Sequence, residues 1–298
     1  MRHPRRRFAA ILAGSLAALT ALAVPAQAIN SYNARPAPER TEVGAFLALW
    51  DNNGDGTVDR FDWVCSGTMI ASDVYLTAAH CEVDWPAGTR FFVSLDEDVQ
   101  GELDAAHALG LSGAAEASWF VAHGHAVEGT GHYDPAYGKS QSNPHDVAVI
   151  DFSGWQTTPA DVWAFTPATL PTAGQLDAIG SRQLDTDPWT VVGYGTEEAA
   201  NGGGGKPGFP GGGTREEATL GFNSLTPSWV RLAMNQSRGF GGACYGDSGG
   251  PNFVTINGHL VLAATTVTGD TPCYATNVVY RMDTPTARNF LSAYVALP

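Results

Sequence analysis

Short apolar runs separated by turn formers constrain this chain most. They fall at residues 43–50, 63–70, 74–77, 91–95, 119–122, 147–152, 189–194, 260–267 and 277–282, each bounded by Gly, Pro, Asp or Asn. Runs of this length and punctuation predict an all-β fold, a sandwich or barrels, rather than alternating βαβ units. Only the C-terminus reads as helical. Over 288–297 the residues Phe290, Leu291, Tyr294 and Val295 share one face, with Thr286 as the candidate N-cap. The glycine-rich stretch 201–213 also carries two prolines, so it is expected to hold no regular element and to form an exposed, mobile loop. A seam between two halves is expected within 153–171, and no internal repeat is visible.

Residues 1–28 have the form of an export signal. Arg2, Arg5, Arg6 and Arg7 form a positive n-region, an apolar run follows from Phe8 to Val24, and Ala26-Gln27-Ala28 ends in small residues. The arginines also match the twin-arginine pattern, as any basic n-region does weakly. Cleavage after Ala28 would leave 270 of the 298 residues and shift the formal charge from −14, by four arginines, to −18. A chain this acidic is a poor ligand for nucleic acid, whose phosphates are bound by Lys and Arg. It is equally unsuited to anionic membranes. The expectation is a secreted, extracellular, soluble monomer.

Four cysteines in an exported chain predict two disulfides. They come as two local couples, Cys65 with Cys81 and Cys244 with Cys273. Counting alone leaves three pairings open, and local pairing is the expectation. Two further clusters raise the question of metal. Asp51, Asn53 and Asp55, with Gly56, Asp59 and Asp62, nearly fit a calcium loop, but the flanks read as strands and Asp replaces the final Glu. A hairpin tip is preferred, with structural calcium as the lesser alternative. His123, His125, His132 and Asp134 precede Asp146 without a tight ligand spacing, so an exposed loop is preferred to a zinc site. No cofactor is expected.

Three segments carry chemistry: Cys65-Ser66-Gly67-Thr68-Met69-Ile70 followed by Leu76-Thr77-Ala78-Ala79-His80-Cys81, His145-Asp146-Val147-Ala148-Val149-Ile150, and Cys244-Tyr245-Gly246-Asp247-Ser248-Gly249-Gly250-Pro251. In chain order they offer His80, Asp146 and Ser248. A serine hydroxyl is a weak nucleophile until a base removes its proton, which imidazole does near neutral pH. A buried carboxylate fixes the imidazole tautomer and stabilises the imidazolium. Glycines around Ser248 allow a sharp turn that presents backbone amides to a developing oxyanion. Singly, each segment has a structural explanation: a core histidine, an Asp turn, a tight Gly turn. Jointly and in this order they do not.

These segments resemble the signatures of the chymotrypsin/trypsin-like serine peptidases, and the resemblance runs from about Val43 to the C-terminus. It implies two antiparallel β-barrels, 29–160 carrying His80 and Asp146, and 161–298 carrying Ser248 and a C-terminal helix. It also implies His80 as general base and acid, Asp146 as its orienter and Ser248 as nucleophile. The amides of Gly246 and Ser248 would form the oxyanion hole, and both local disulfides fit. In that family an internal N-terminal amine pairs with the Asp before the nucleophile. Here the partners would be Asp247 and Ile29, the residue that signal cleavage exposes, although the familiar Ile-Val-Gly-Gly is missing. Gly242 stands where the pocket base often lies, so Arg or Lys is disfavoured at P1. Val267 and Val278, if they project inward, would make a shallow, neutral pocket.

The expected function is therefore a secreted serine endopeptidase that acts on protein or peptide substrates through an acyl-enzyme. Its alternative is a catalytically silent binding protein on the same fold. An α/β-hydrolase esterase is excluded: Gly246-Asp247-Ser248-Gly249-Gly250 fits GxSxG, but no Asp followed by His lies downstream.

Overall fold

The computed structural model describes residues 29–201 and 206–298. The export signal and Gly202–Gly205 of the glycine-rich stretch lie outside the described residues. After the two-residue strand β1 (Arg35–Pro36), six strands close into an antiparallel barrel: β2 (Val43–Trp50), β3 (Arg60–Met69), β4 (Val74–Thr77), β5 (Arg90–Ser94), β6 (Val127–Tyr133) and β7 (Ala148–Asp151). Their order is β2-β3-β4-β7-β6-β5, with β5 returning to β2.

The second barrel begins with β8 (Trp189–Gly193), after which come two short paired strands, β9 (Ala200–Asn201) and β10 (Pro207–Gly208). It is built from β8 with β11 (Glu216–Leu225), β12 (Trp229–Ala233), β13 (Pro251–Ile256), β14 (His259–Gly269) and β15 (Thr276–Arg281). The order β11-β12-β15-β14-β13-β8 closes through β8 and β11, and β1 adds to the outer edge of β11. The protein has a chymotrypsin-like double-barrel fold.

Alternation within each strand builds two layers of core. Along β2, Val43, Ala45, Leu47 and Leu49 enter one cluster, while Phe46 faces the other with Met69, Tyr75, Val93 and Ile150. Covering both faces explains why β2 reads as a continuous apolar run. The first face is covered partly by two helices, α1 (Val99–Ala108) and α2 (Gly113–His123), through Val99, Leu103, Ala106, Ala117 and Phe120.

These helices correct the sequence expectation, in which 119–122 was a strand and only the C-terminus helical. Asp98 caps α1 by accepting from the Gly101 N–H, and Gly124 ends α2 at φ 77°. Their buried stripes are short and mixed, Val99, Leu103 and Ala106 in α1 and Gly113, Glu116, Ala117 and Phe120 in α2, which blurs the helical period. The chain then crosses between barrels through α3 (Pro159–Val162), α4 (Gln175–Ile179) and α5 (Ser181–Leu184). Its crossing segment bonds to both, Ala168 N–H to Met69 O and Leu262 N–H to Thr169 O.

The C-terminal helix, α6 (Pro285–Leu291), starts earlier than expected. Thr284 rather than Thr286 caps it, accepting from Ala287 N–H, and Pro285 takes the first position, where no N–H is needed. The glycine-rich stretch is also less free than its composition implies. Gly213 donates to Tyr194 O and accepts from the Val99 and Gln100 N–H groups.

Residues 51–59 form the β2–β3 hairpin tip. The Asp51 carboxylate takes the N–H groups of Gly54, Asp55 and Gly56, and the Gly56 bond foremost holds it below the usual carboxylate range. The histidine set is dispersed rather than gathered in one loop. His123 bonds to Trp119 O, His125 to Asp96, and Asp134 to His145, while His132 lies beside the Tyr294 ring.

Glu82 follows the first disulfide into the interior, 8% exposed, and its Oε2 has no hydrogen-bond partner. Burial pushes its carboxyl from 4.5 up to about 8. The neutral form suits the fold, so stability should fall as pH rises from about 4.5 to 8 and level off above. Glu82→Gln should therefore flatten that fall and melt above the parent at pH 8.5, as followed by circular dichroism.

Candidate active site

His80 sits on the 3-10 turn Ala79–Cys81 that ends β4, and the Cys65–Cys81 disulfide ties this turn to β3. Asp146 lies just before β7, 2% exposed. One carboxylate oxygen accepts the His80 backbone N–H at 2.9 Å and the other meets Nδ1 at 2.8 Å. Double attachment fixes both the backbone and the ring of His80. A carboxylate on Nδ1 assigns the proton to that nitrogen and leaves Nε2 as an acceptor. His145, just before Asp146, adopts φ 56° and pairs through Nδ1 with Asp134 at 2.8 Å. Tyr137 is also close, and its hydroxyl titrates higher than usual because of burial and then the charges of Asp146 and Asp84.

Ser248 comes from the second barrel. It shares with His80 the walls of two cavities, one of about 360 Å³ and one of about 500 Å³. Its hydroxyl has no hydrogen-bond partner among the described residues; a serine–imidazole contact commonly tightens only when substrate binds. Gly246 is at φ 97°, a left-handed region that favours glycine. Gly249, at φ 78°, has a further constraint, since a Cβ there would stand 2.2 Å from Thr77 Oγ1 and 2.5 Å from Ser66 O. The N–H groups of Gly246 and Ser248 donate to no acceptor among the described residues, so two donors remain free beside the hydroxyl.

Ser66, which the sequence offers only within the segment leading to His80 and with no role of its own, joins the two barrels here. Its N–H donates to Ser248 O at 2.9 Å, and its hydroxyl donates to Gly246 O while accepting from Tyr194 N–H. Thr77 Oγ1 donates to Ser66 O from the strand leading to His80. The only sequence signal was its place directly after Cys65.

Asp247 is fully buried and accepts from Gly195 N–H and Cys244 N–H, both at 2.8 Å. Burial pushes its carboxyl up to about 7, against the opposing pull of those two bonds. Ile29 is fully buried in the second-barrel core. Asn30 is clamped: its N–H donates to Gly242 O, its Oδ1 accepts from Gly242 N–H, and its Nδ2 donates to Cys273 O.

The cavity of about 360 Å³ is bounded by Cys244 and Cys273, which are disulfide-bonded, and by Val267, Thr266 and Asn277. Asn277 lines it in place of Val278. The β14–β15 register shifts between Thr266 and Thr268, making Val267 the bulged residue, and Asn277 alternates with Val278. Gly242 is not on the wall. It lies against Met234, whose Sδ would be 2.1 Å from an added Cβ. Asp270 does line the cavity, but its oxygens accept the N–H groups of Tyr274, Ala275 and Thr276. Burial raises that carboxyl; the three bonds outweigh it and hold it below the usual range.

Cys65, His80 and Cys81 bring three metal-ligating atoms together, and no other such group occurs among the described residues. Both sulfurs are joined to each other, so no thiolate is present to bind metal. No helix among the described residues is long and apolar enough to cross a membrane. Compared with protein-family models and with curated proteins, the sequence matches none. Fold and site together define a chymotrypsin-like double barrel that brings a histidine–aspartate pair to a serine flanked by free backbone donors.

Replacing Ser66 by Ala strands the Gly246 carbonyl and the Tyr194 N–H. Ser66→Ala should cost about 1–3 kcal/mol in urea unfolding, the usual penalty for unsatisfied buried polar groups. Unchanged stability would mean that those groups find other partners.

Proposed function

We propose that the protein is a secreted serine endopeptidase that hydrolyses peptide bonds through an acyl-enzyme. The observation that carries this is the 2.8 Å contact between His80 Nδ1 and Asp146, with His80 and Ser248 facing common cavities. His80 Nε2 takes the Ser248 proton as Oγ attacks the scissile carbonyl, and Asp146 stabilises the imidazolium. The N–H groups of Gly246 and Ser248 receive the oxyanion. His80 then gives the proton to the leaving amine, and water repeats the sequence to release the acid. No step calls for a metal or cofactor, and the reaction is assigned to a monomer.

Neutral or apolar P1 side chains fit this chemistry better than Arg or Lys. Val267 and the disulfide supply apolar wall, and the one carboxylate lining the cavity is engaged by three backbone N–H groups. Quenched-fluorescent peptides varied at P1 should be cut after neutral residues, and cutting mainly after Arg or Lys would refute the preference. Asp146→Asn should lower kcat by about ten-thousand-fold, since it removes the tautomer lock. A loss below tenfold would contradict the assigned roles.

The mature N-terminus is assigned to Ile29, created by signal cleavage. Buried Ile29, clamped Asn30 and the cation-free Asp247 all support an ion pair between the new α-amine and Asp247. In the uncleaved chain the raised Asp247 carboxyl costs stability as pH rises from 3.8 to about 7. An amine partner reverses that shift, so the mature form should melt above the uncleaved form at pH 8. Equal melting, or a mature protein that begins elsewhere, would overturn the pair. Secretion itself is supported by the form of residues 1–28 and by both disulfides.

A further inference from the structure

We propose that Asp84 and Trp85 form a subsite on the leaving-group side that selects a basic residue, arginine above all, just after the scissile bond. This rests on the peptidase function proposed above and deepens it. The two cavities at the site share only His80, Tyr245 and Ser248, so these residues divide the space into two chambers. Peptide hydrolysis needs two such chambers, one for the acyl part and one for the departing amine. The chamber of about 360 Å³, beside the second disulfide, receives the acyl side. The chamber of about 500 Å³ lies over the first disulfide and is walled by Val64, Val83, Asp84 and Trp85.

Three features of the second chamber favour a cation. First, Asp84 is its only carboxylate, and no Lys or Arg lines it. Second, Asp84 is exposed, at φ 63°, and has no hydrogen bond or ion pair among the described residues. The other carboxylates that line the cavities or flank Ser248 and His80 at the reacting groups are engaged: Asp146 has His80, Asp247 has two backbone N–H groups and Asp270 has three, while Glu82 is buried away from both chambers. Third, Trp85 is a fixed aromatic wall. Its Nε1–H donates to Cys81 O at 2.8 Å, and its ring makes edge contacts with Trp50 and Phe91. A guanidinium can lie on an indole while its N–H edge meets a carboxylate. Lysine brings the charge without the planar fork, and a carboxylate side chain would be repelled.

Acyl transfer isolates this subsite. An ester substrate with one fixed acyl group loads Ser248, and amino-acid amides then compete with water for the acyl-enzyme. The added α-amine attacks the ester carbonyl; the C–N bond forms, the bond to Oγ breaks, and the amine proton passes through His80 to Oγ. All ratios start from one acyl-enzyme, so selection in the acyl chamber cancels. Arginine amide should exceed leucine amide in the aminolysis-to-hydrolysis ratio by about tenfold, the size of one exposed ion pair plus a cation–π contact. Lysine amide should be intermediate and glutamate amide lowest, with the spread narrowing at high salt.

Asp84→Asn keeps a residue suited to positive φ and should erase most of the arginine-to-leucine advantage. Trp85→Leu should erase the advantage of arginine over lysine. Equal ratios in the parent protein, or an arginine advantage that survives Asp84→Asn, would overturn the subsite while leaving the peptidase intact. Failure to detect any acyl group on Ser248 by mass spectrometry would overturn both.

Discussion

Everything at the site depends on the junction at Ser66. Its backbone and hydroxyl connect, within one residue, the Ser248 carbonyl, the Gly246 carbonyl beside the free donors, and the Tyr194 N–H just after β8 of the second barrel. Its neighbour Cys65 is disulfide-bonded to Cys81, next to His80. The spacing of His80 and Ser248 is therefore set by a short chain of buried bonds rather than by the flexible ends of two loops. Such a junction matters because misplacing reacting groups by about 1 Å can cost a hundredfold in rate.

A second inter-barrel tie lies behind this one. Arg215, 3% exposed, donates to the carbonyls of Ala37, Val43 and Leu95 and to the Tyr194 hydroxyl. Its bonds reach the N-terminal segment, the first barrel and the second barrel together. Glu217, also buried, holds Arg35 and Arg40 of the same N-terminal segment. That segment runs on the second barrel from Ile29 to β1, close to the loop that bears Asp247. The N-terminal segment and the packing of both barrels are thereby linked through one strap of chain.

The candidate site was legible because its chemistry is written contiguously. His80 sits beside its cysteine, Asp146 heads an apolar strand, and Ser248 is framed by glycines. What joins them was not legible, because the ties between barrels link residues far apart in sequence, Ser66 to Tyr194 across 128 positions and Arg215 to Leu95 across 120. The barrels were partly legible. Strands buried on both faces, such as β2, announce themselves as apolar runs, whereas β6, with the sequence VEGTGHY, and β11, with EEATLGFNSL, have too few apolar residues to stand out. Helix α2 buries Gly113, Glu116 and Ala117 along with Phe120, so no apolar stripe of helical period stands out, and Trp119-Phe120-Val121-Ala122 reads as strand for that reason. The pocket wall turned on one bulge at Val267 and the strand parity that puts Asn277 on the cavity, neither of which composition encodes.

Activation of Ser248 is the central claim, and a fluorophosphonate probe tests it most directly. The mature protein should take one adduct, located on Ser248 by peptide mass spectrometry, and His80→Ala should lose it. A folded mature protein whose Ser248 stays unlabelled would contradict the account and leave a binding protein on a peptidase fold.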